Sequence, residues 1–164
     1  MIHNVLVAAL WPGDEPITPG EPINHGLLSS AVGRPMQTMF NQDLYKGVFQ
    51  KGAALFHSLI ANHPFYNGNK RTAVLALDHF LMANGRLLIL TNEEMYRLAK
   101  ETATYNERKM THKQIFRHIA RTIRRSSVPI SKLKKSPAFS ILYENLRGLS
   151  ANIRNHPLNK SERT

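Results

Sequence analysis

Residues Asp43 to Gly85 read DLYKGVFQKGAALFHSLIANHPFYNGNKRTAVLALDHFLMANG, in which two apolar runs flank a polar, glycine-containing turn. In the first run apolar residues keep close to spacings of three and four, as the core-facing stripe of a helix requires, so we predict a helix from Asp43 to Asn62. The second run is apolar on much of its circumference and ends at Gly85, a residue suited to the position after a helix. We predict a helix from Asn69 to Gly85 and expect it to be the central, buried one. The apolar positions are Leu44, Val48, Leu55, Leu59 and Ile60 in the first helix, and Val74, Leu75, Leu77, Phe80, Leu81 and Met82 in the second.

Helical signals also dominate on both sides of this pair. Thr91 with Glu94, and Thr111 with Gln114, are capping boxes that start two more helices. These helices run through about residue 104 and about residue 125. The remaining assignments are a loop at 10–24, a short helix at 26–34 closed by Pro35, a short extended flap at 86–90, a linker at 126–135 and a last helix at 137–147. The expected fold class is all-α.

Length and composition limit the classes of protein that fit. The 164 residues suffice for one domain with an ordinary core, since 42% of them are hydrophobic. No cysteine is present, which excludes disulfides, thiolate metal sites and a cysteine nucleophile. The apolar opening Ile2 to Leu10 is too short and poorly flanked for a secretory signal or a membrane span. We therefore expect a cytoplasmic protein without a membrane partner.

Positive charge is concentrated in the last third of the chain. Residues 1–107 hold 8 Lys and Arg against 9 Asp and Glu, whereas residues 108–164 hold 14 against 2. One interpretation is an acidic partner, such as RNA, an acidic protein or a ribosome-associated factor. The other is a basic segment that contacts only water.

One segment, His63 to Ala73, carries residues suited to phosphate chemistry. Its second half lies at a predicted helix N-terminus, where backbone N–H groups and the helix dipole attract anions. Gly68 allows a ligand to approach the backbone, and Lys70 and Arg71 add positive charge. His63 at the other end of the turn is able to accept a proton near neutral pH. A lone histidine at such a turn is more often structural, but the density of His, Gly, Asn, Lys and Arg favours a general base facing bound phosphates.

This segment resembles the signature of the Fic/Doc family, written HxFx(D/E)GNxRxxR in Fic enzymes and HxFx(D/N)(G/A)NKR in Doc, or death-on-curing, toxins of type II toxin–antitoxin systems. Lys70 and Arg71 place it on the Doc side. Residues 26–35, 59–62 and 80–85 resemble the family as well, so the likeness extends over about residues 2–125. The expected division is a Fic/Doc domain at 1–125 and a basic C-terminal extension at 126–164.

The resemblance implies a compact bundle of about six helices with His63 as the general base. Gly68, Asn69, Lys70 and Arg71 would hold the phosphates of ATP, or of another nucleoside triphosphate, with Mg²⁺. It also implies phosphate transfer to elongation factor Tu, inhibition of translation and neutralisation by an antitoxin protein. Fic enzymes instead transfer AMP to a protein hydroxyl, which is the alternative activity. Lys70 in place of a small residue, and Val74 at the position of the second motif arginine, favour phosphate transfer.

Three alternatives remain open at the level of sequence. Asn67 replaces the acid that holds Mg²⁺ in most family members, so it is either a weak metal ligand or only shapes the turn. Ser140 and Glu144 resemble the Fic inhibitory pattern (S/T)xxxE(G/N), but an ordinary amphipathic helix also explains them. The third reading of function is a catalytically weak protein whose basic residues 108–164 bind nucleic acid or an antitoxin complex.

Overall fold

The structure, a computed structural model, describes residues 22–133 of the chain. These residues are mostly helical, which confirms the all-α prediction. The helices are α1 (His25–Gly33), α2 (Gly47–Asn62), α3 (Asn69–Ala83), α4 (Asn92–Ala103), α5 (His112–Arg125) and α6 (Ile130–Leu133). A single 3₁₀ turn (Arg34–Met36) follows α1, and the short strands are β1 (Thr38–Met39), β2 (Gln42–Asp43), β3 (Arg86–Leu88) and β4 (Ser127–Pro129).

The chain divides into two units after Ser127, whereas the sequence placed the boundary between residues 125 and 126. Helices α1 to α5 belong to the first unit, and α6 to the second. The linker predicted at 126–135 is wrong for its described part, because residues 127–133 form β4 and α6. Ser127 is buried and holds the side chain of Arg86, so the chain is fixed there. Residues 10–21 of the predicted loop, and the helix at 137–147 with Ser140 and Glu144, lie outside the described residues.

Helix α2, rather than α3, is the central helix, which corrects the expectation from apolar content. All residues from Gly52 to Ile60 are buried, and α2 packs against α1, α3, α4 and α5. A Cβ atom on Gly52 would lie 3.1 Å from Cδ1 of Leu77 on α3, so the two helices approach closely. Helix α3 leaves His79 and Ala83 exposed. Small residues such as Gly52 and Ala53 let neighbours pack on every side of α2, and counting large apolar residues misses this effect.

The start of α2 also differs from the prediction, because a β-hairpin occupies residues 38–43. Thr38 pairs with Asp43 and Met39 with Gln42 in antiparallel register. Its two turn residues, Phe40 and Asn41, have φ of 51° and 59°. Positive φ at both residues is typical of the two-residue turns that connect hairpin strands. Strands of two residues are too short to show alternation, so no pattern in the sequence predicts them. Leu44, expected in the helical stripe, is 43% exposed as a result.

Both capping boxes are present, so α4 and α5 begin where the sequence predicted. The hydroxyl of Thr91 accepts from the Glu94 N–H, and that of Thr111 accepts from the Gln114 N–H. The isoleucines of α5 form one fully buried seam that packs into the core. They are Ile115, Ile119 and Ile123.

The extended flap predicted at 86–90 is confirmed for Arg86–Leu88. The guanidinium of Arg86 anchors this strand. Arg86 Nη2 donates to the Ser127 carbonyl oxygen at 2.9 Å, and Arg86 Nε donates to the Ser127 hydroxyl at 3.1 Å. The same guanidinium lies 4.7 Å from the centre of the Phe49 ring on α2, a cation–π contact. No helix within residues 22–133 has the length and apolarity needed to cross a lipid bilayer.

A buried histidine, His57, lies between α2 and α5. Its ring meets His112 edge-on at 4.6 Å between centroids and lies 5.8 Å from the Tyr105 ring. Its Nε2 atom is buried without a hydrogen-bond partner among the described residues. Burial, with the charges of His112 and Arg34 acting in the same direction, lowers the pKa of His57 from 6.5 to about 4. His57 is therefore a neutral core residue near pH 7.

We expect His57 to make the fold sensitive to acid. Because its pKa is lower in the folded state than in the unfolded chain, its contribution to stability is complete above about pH 6.5 and is lost as the pH falls toward 4. One such group contributes at most about 1.4 kcal/mol per pH unit to the slope of the unfolding free energy against pH. Denaturant unfolding of the wild type and of His57→Phe between pH 7 and pH 4 should show a shallower slope in the variant. The control His79→Gln removes an exposed histidine and should keep the wild-type slope; equal slopes for all three proteins would contradict the assignment.

Candidate active site

His63 lies directly after the central helix, as the residue that ends α2. Its backbone is left-handed, with φ of 46° and ψ of 55°, a conformation that costs a residue with a Cβ atom roughly 1–2 kcal/mol. Pro64 and Phe65, which follow it, are buried. The side chain of His63 is exposed. The buried pair therefore holds the turn while the imidazole remains accessible to a substrate.

The side chain of Asn69, at the first turn of α3, braces this loop from inside. The Phe65 N–H donates to Asn69 Oδ1 at 2.9 Å, and Asn69 Nδ2 donates to the Phe65 carbonyl oxygen at 2.7 Å. An N–H only donates and a carbonyl only accepts, so these two bonds fix the orientation of the amide. Asn69 is only 5% exposed. The loop is therefore closed on itself by one buried side chain.

The same amide contacts the ring of His63. Asn69 Nδ2 lies 3.4 Å from His63 Nδ1, at the long end of the hydrogen-bonding range. Because Nδ2 is a donor, the contact favours the tautomer in which Nδ1 accepts and the ring proton is on Nε2. The donors and the acceptor of the Asn69 amide are thus directed at Phe65 and His63. The sequence predicts that Asn69 binds the nucleotide. Because its side-chain amide is used within the loop, the backbone N–H is the group of Asn69 that is left to bind an anion.

The opposite side of the loop is the N-terminus of α3. Gly68 precedes α3 with φ of 74°, which only glycine adopts without strain, and its carbonyl oxygen accepts from the Thr72 N–H at 2.9 Å. The first backbone N–H groups of a helix have no partner within that helix and attract anions together with the helix dipole. No acidic residue lies in this first turn. This end of α3 therefore has the polarity that a phosphate requires.

The two cations predicted in the turn differ in their surroundings. Lys70 is exposed, whereas Arg71 is partly buried and has a contact within the chain. Val74, at the position of the second motif arginine, is 6% exposed and belongs to the core cluster. Replacement of that arginine thus converts a site for a second phosphate-binding cation into core packing.

Metal ligands are sparse around the loop. Among residues 22–133, no group of three or more His, Asp and Glu side chains is placed to hold a metal ion, and the chain contains no cysteine. Asn67 is partly buried in the turn. Magnesium bound to a nucleotide keeps several waters and takes phosphate oxygens as ligands, so one amide oxygen is compatible with it. The donor set therefore fits a metal that arrives with the nucleotide better than a resident metal site.

Two residues near the site escaped the sequence analysis. Tyr66, in the middle of the loop, is 83% exposed, and its only signal was a position inside the motif. Asp78 lies seven residues after Arg71 on α3, so helical spacing puts both on one side of that helix. Burial raises the pKa of the Asp78 carboxyl, and the neighbouring His79 acts in the opposite direction. The sequence does not reveal that the Asp78 carboxyl is partly buried, because the residues that pack around it come from other helices.

Comparisons with known proteins agree with this geometry. Residues 1–81, which include the whole loop, match the model of the Fic/DOC family. A curated protein named Toxin Doc, from Mycolicibacterium smegmatis, is 47% identical over 62 residues, which are 38% of this chain and 48% of that protein. The aligned part is thus about half the length of the relative. No solved structure matches the chain. The motif is held on a turn between two packed helices, and residues 1–81, which span that turn, are similar to the Fic/DOC family.

Proposed function

We propose that this chain is a toxin enzyme that transfers a phosphate from a nucleoside triphosphate to a hydroxyl group of a translation factor. One observation carries the proposal: the exposed His63 follows α2, and its ring lies 3.4 Å from the side chain of Asn69 at the N-terminus of α3, the helix whose first turn also contains Lys70 and Arg71. A proton acceptor is thereby held beside an anion-binding helix end. Phosphoryl transfer depends mainly on such positioning and on stabilisation of negative charge.

In the proposed reaction the hydroxyl oxygen of the target attacks the terminal phosphorus of the nucleotide. The hydroxyl proton moves to the imidazole of His63, and the bond from the phosphorus to its bridging oxygen breaks, which releases a nucleoside diphosphate. Arg71 and the first N–H groups of α3 hold the phosphate oxygens, because a guanidinium and helix N–H groups match their charge and geometry. Bound Mg²⁺ would neutralise phosphate charge, with the Asn67 amide oxygen as the ligand from this loop.

The tautomer of His63 adds one requirement to this step. For Nε2 to accept the substrate proton, Nδ1 must carry the ring proton, and it then no longer accepts from Asn69. The contact of 3.4 Å is long, so its loss costs little. The tautomer changes when Nε2 releases its proton to water and Nδ1 takes up a proton from water. A small rotation of the ring then moves the Nδ1–H group away from the Asn69 amide, which stays fixed by its two bonds to Phe65.

Phosphate transfer is favoured over AMP transfer by the nature of position 74. Val74 is packed in the core, so this loop has Arg71 but no second arginine one turn further along α3. The nucleotide orientation used for AMP transfer in the family relies on that second arginine. Transfer of AMP remains the second candidate, since both reactions use the same base and the same helix end.

The biological context of the proposal comes from the family. The relative named Toxin Doc supports a toxin role, and a protein antitoxin is the corresponding partner. We propose elongation factor Tu as the target, inhibition of translation as the effect and the cytoplasm as the location. Incubation of the purified protein with labelled ATP and the candidate target, followed by mass analysis, tests the assignment. A phosphate on the target is expected, and an attached nucleotide would overturn the kinase assignment in favour of the second candidate.

We expect His63→Ala to lower transfer by about 10²–10⁴-fold, the usual cost of losing a general base. The fold should remain, because the side chain is exposed. Initial rates with labelled ATP, measured with circular dichroism of the same samples, give both quantities. The control His79→Ala removes an exposed histidine from α3 and should keep the wild-type rate.

A second variant at the same position separates chemistry from folding. His63→Gly relieves the left-handed backbone, so it should raise the unfolding free energy by about 1 kcal/mol while transfer is lost. A variant that is both stabilised and active would show that His63 is not the base.

Arg71→Ala should weaken nucleotide binding more than Lys70→Ala. A guanidinium clamps a phosphate through two parallel bonds, whereas an ammonium on an exposed side chain acts as a single charge. At about 1.5–3 kcal/mol for a hydrogen bond to a charged group, the Arg71 variant should lose roughly tenfold to a hundredfold in affinity. Calorimetry with a non-hydrolysable nucleotide measures the difference, with Arg97→Ala on α4 as the control for loss of one positive charge. Equal losses at positions 70 and 71 would remove Arg71 from its role as the main clamp.

Asn67→Asp should lower the Mg²⁺ concentration needed for half-maximal transfer, because it adds a negative charge next to the bound metal. The product should remain phosphorylated protein, since the orientation of the nucleotide depends on other positions. Titration of transfer against Mg²⁺ for both proteins, with products identified by mass, tests the two statements together. The control Asn92→Asp adds the same charge at the start of α4, away from the loop, and should leave the Mg²⁺ requirement unchanged. An unaltered requirement in Asn67→Asp would show that Asn67 does not contact the metal.

A further inference from the structure

The outer face of α5 bears a stripe of positive charge. Its cations Lys113, Arg117, Arg121 and Arg124 are all exposed. At about 100° per residue they fall within an arc of about 80°, opposite the buried isoleucine seam of the same helix. Residues at i and i+4 are about 6 Å apart along the axis, so the stripe is about 16 Å long. The side chains thus form a straight row on one side of a helix whose other side fixes it to the core.

Nothing within residues 22–133 neutralises this row. The ion pairs there join Lys51 with Asp43, and Glu101 with Arg108 and His118, and none of them involves the four cations. Helix α5 itself contains no acidic residue. The whole chain has 22 Lys and Arg against 11 Asp and Glu, which is a net charge of +11. Four like charges in a row repel one another and destabilise the isolated helix. A bound anionic partner would offset this repulsion.

The chemistry of the stripe indicates which polyanion fits. Three of its four cations are arginines, which bind phosphate through two parallel hydrogen bonds. Protein interfaces contain aromatic or apolar anchors at their centre, and this face has none. Single-stranded nucleic acids are bound by stacking on exposed aromatic rings. The aromatic residue of α5, Phe116, is partly buried with its ring 5.3 Å from that of Tyr45. A double helix, which offers a regular row of phosphates without exposed base faces, fits these properties best.

We propose that the outer face of α5 binds the phosphate backbone of double-stranded nucleic acid, independently of base sequence. The site is separate from the proposed active-site loop and goes beyond the proposed function. Contacts to phosphates position a protein on a duplex without reading its sequence, so duplex DNA and duplex RNA are both ligands for this surface. Such binding would raise the local concentration of the protein at structures rich in duplex nucleic acid.

The test measures binding of the full chain to a short mixed-sequence duplex by fluorescence anisotropy over a range of salt concentrations. Four phosphate contacts predict that the logarithm of the affinity falls with the logarithm of salt with a slope of about −3.6 for DNA. The variant R117Q/R121Q/R124Q should lower the slope to about −1 and the affinity at low salt by more than tenfold. Glutamine is nearly as good a helix former as arginine, and the three positions are exposed, so the fold should be kept.

A matched control removes the same charge elsewhere. K46Q/R97Q/K100Q changes three exposed cations outside α5 and should leave the salt slope at the wild-type value. Separate titrations with duplex DNA, duplex RNA and polyglutamate identify the anion. Binding of either duplex that is lost in the α5 variant and kept in the control supports the proposal, and the two duplex titrations distinguish DNA from RNA. Equal losses in both variants, or polyglutamate binding as tightly as the duplexes, would overturn it.

Discussion

The close packing of α2 against its neighbours is the constraint on which the site depends. Gly52 and the alanines after it let α3 approach to within side-chain contact distance, and the isoleucines of α5 cover another side of α2. The core thus fixes α2 and α3. Between His63 at the end of α2 and the start of α3 lies a turn of five residues, 64–68. His63 and the N-terminus of α3 are therefore held together by the core, and the loop between them only completes the connection. Rigid support of this kind is what positions catalytic groups well.

The loop itself combines strain with a compensating brace. His63 adopts a left-handed backbone that a residue with a Cβ atom disfavours, while Asn69 forms two short hydrogen bonds to the backbone of Phe65. The burial of Pro64 and Phe65 adds hydrophobic stabilisation. Strained residues persist where the surrounding structure fixes them, and they concentrate at functional sites. His63 combines such a backbone with an exposed side chain, which agrees with its proposed role as the base.

Electrostatics divides the described molecule into different environments. Burial, together with the charges of His112 and Arg34, lowers the pKa of His57, so the interior is unfavourable for a proton there. The first turn of α3 carries Lys70 and Arg71 and no acidic residue, next to the exposed His63. The outer face of α5 is a third kind of environment, where exposed cations stand at regular intervals and form no ion pair among residues 22–133. Positive charge is thus gathered in a compact group at the start of α3 and in an extended row on α5.

Local patterns and a dense motif were sufficient to predict the helical fold class, both capping boxes, the short extended piece at Arg86–Leu88 and the resemblance to the Fic/DOC family. The sequence also identified the loop that holds His63 and Arg71, although their roles remain predictions. Tertiary structure decided which helix is central, since this follows from small residues that let helices approach and not from apolar content. It placed a hairpin at residues 38–43 and ordered residues 127–133, both too short to show periodicity. It also directed the Asn69 side chain to Phe65 and His63, because hydrogen-bond partners depend on which atoms the folded backbone brings within reach.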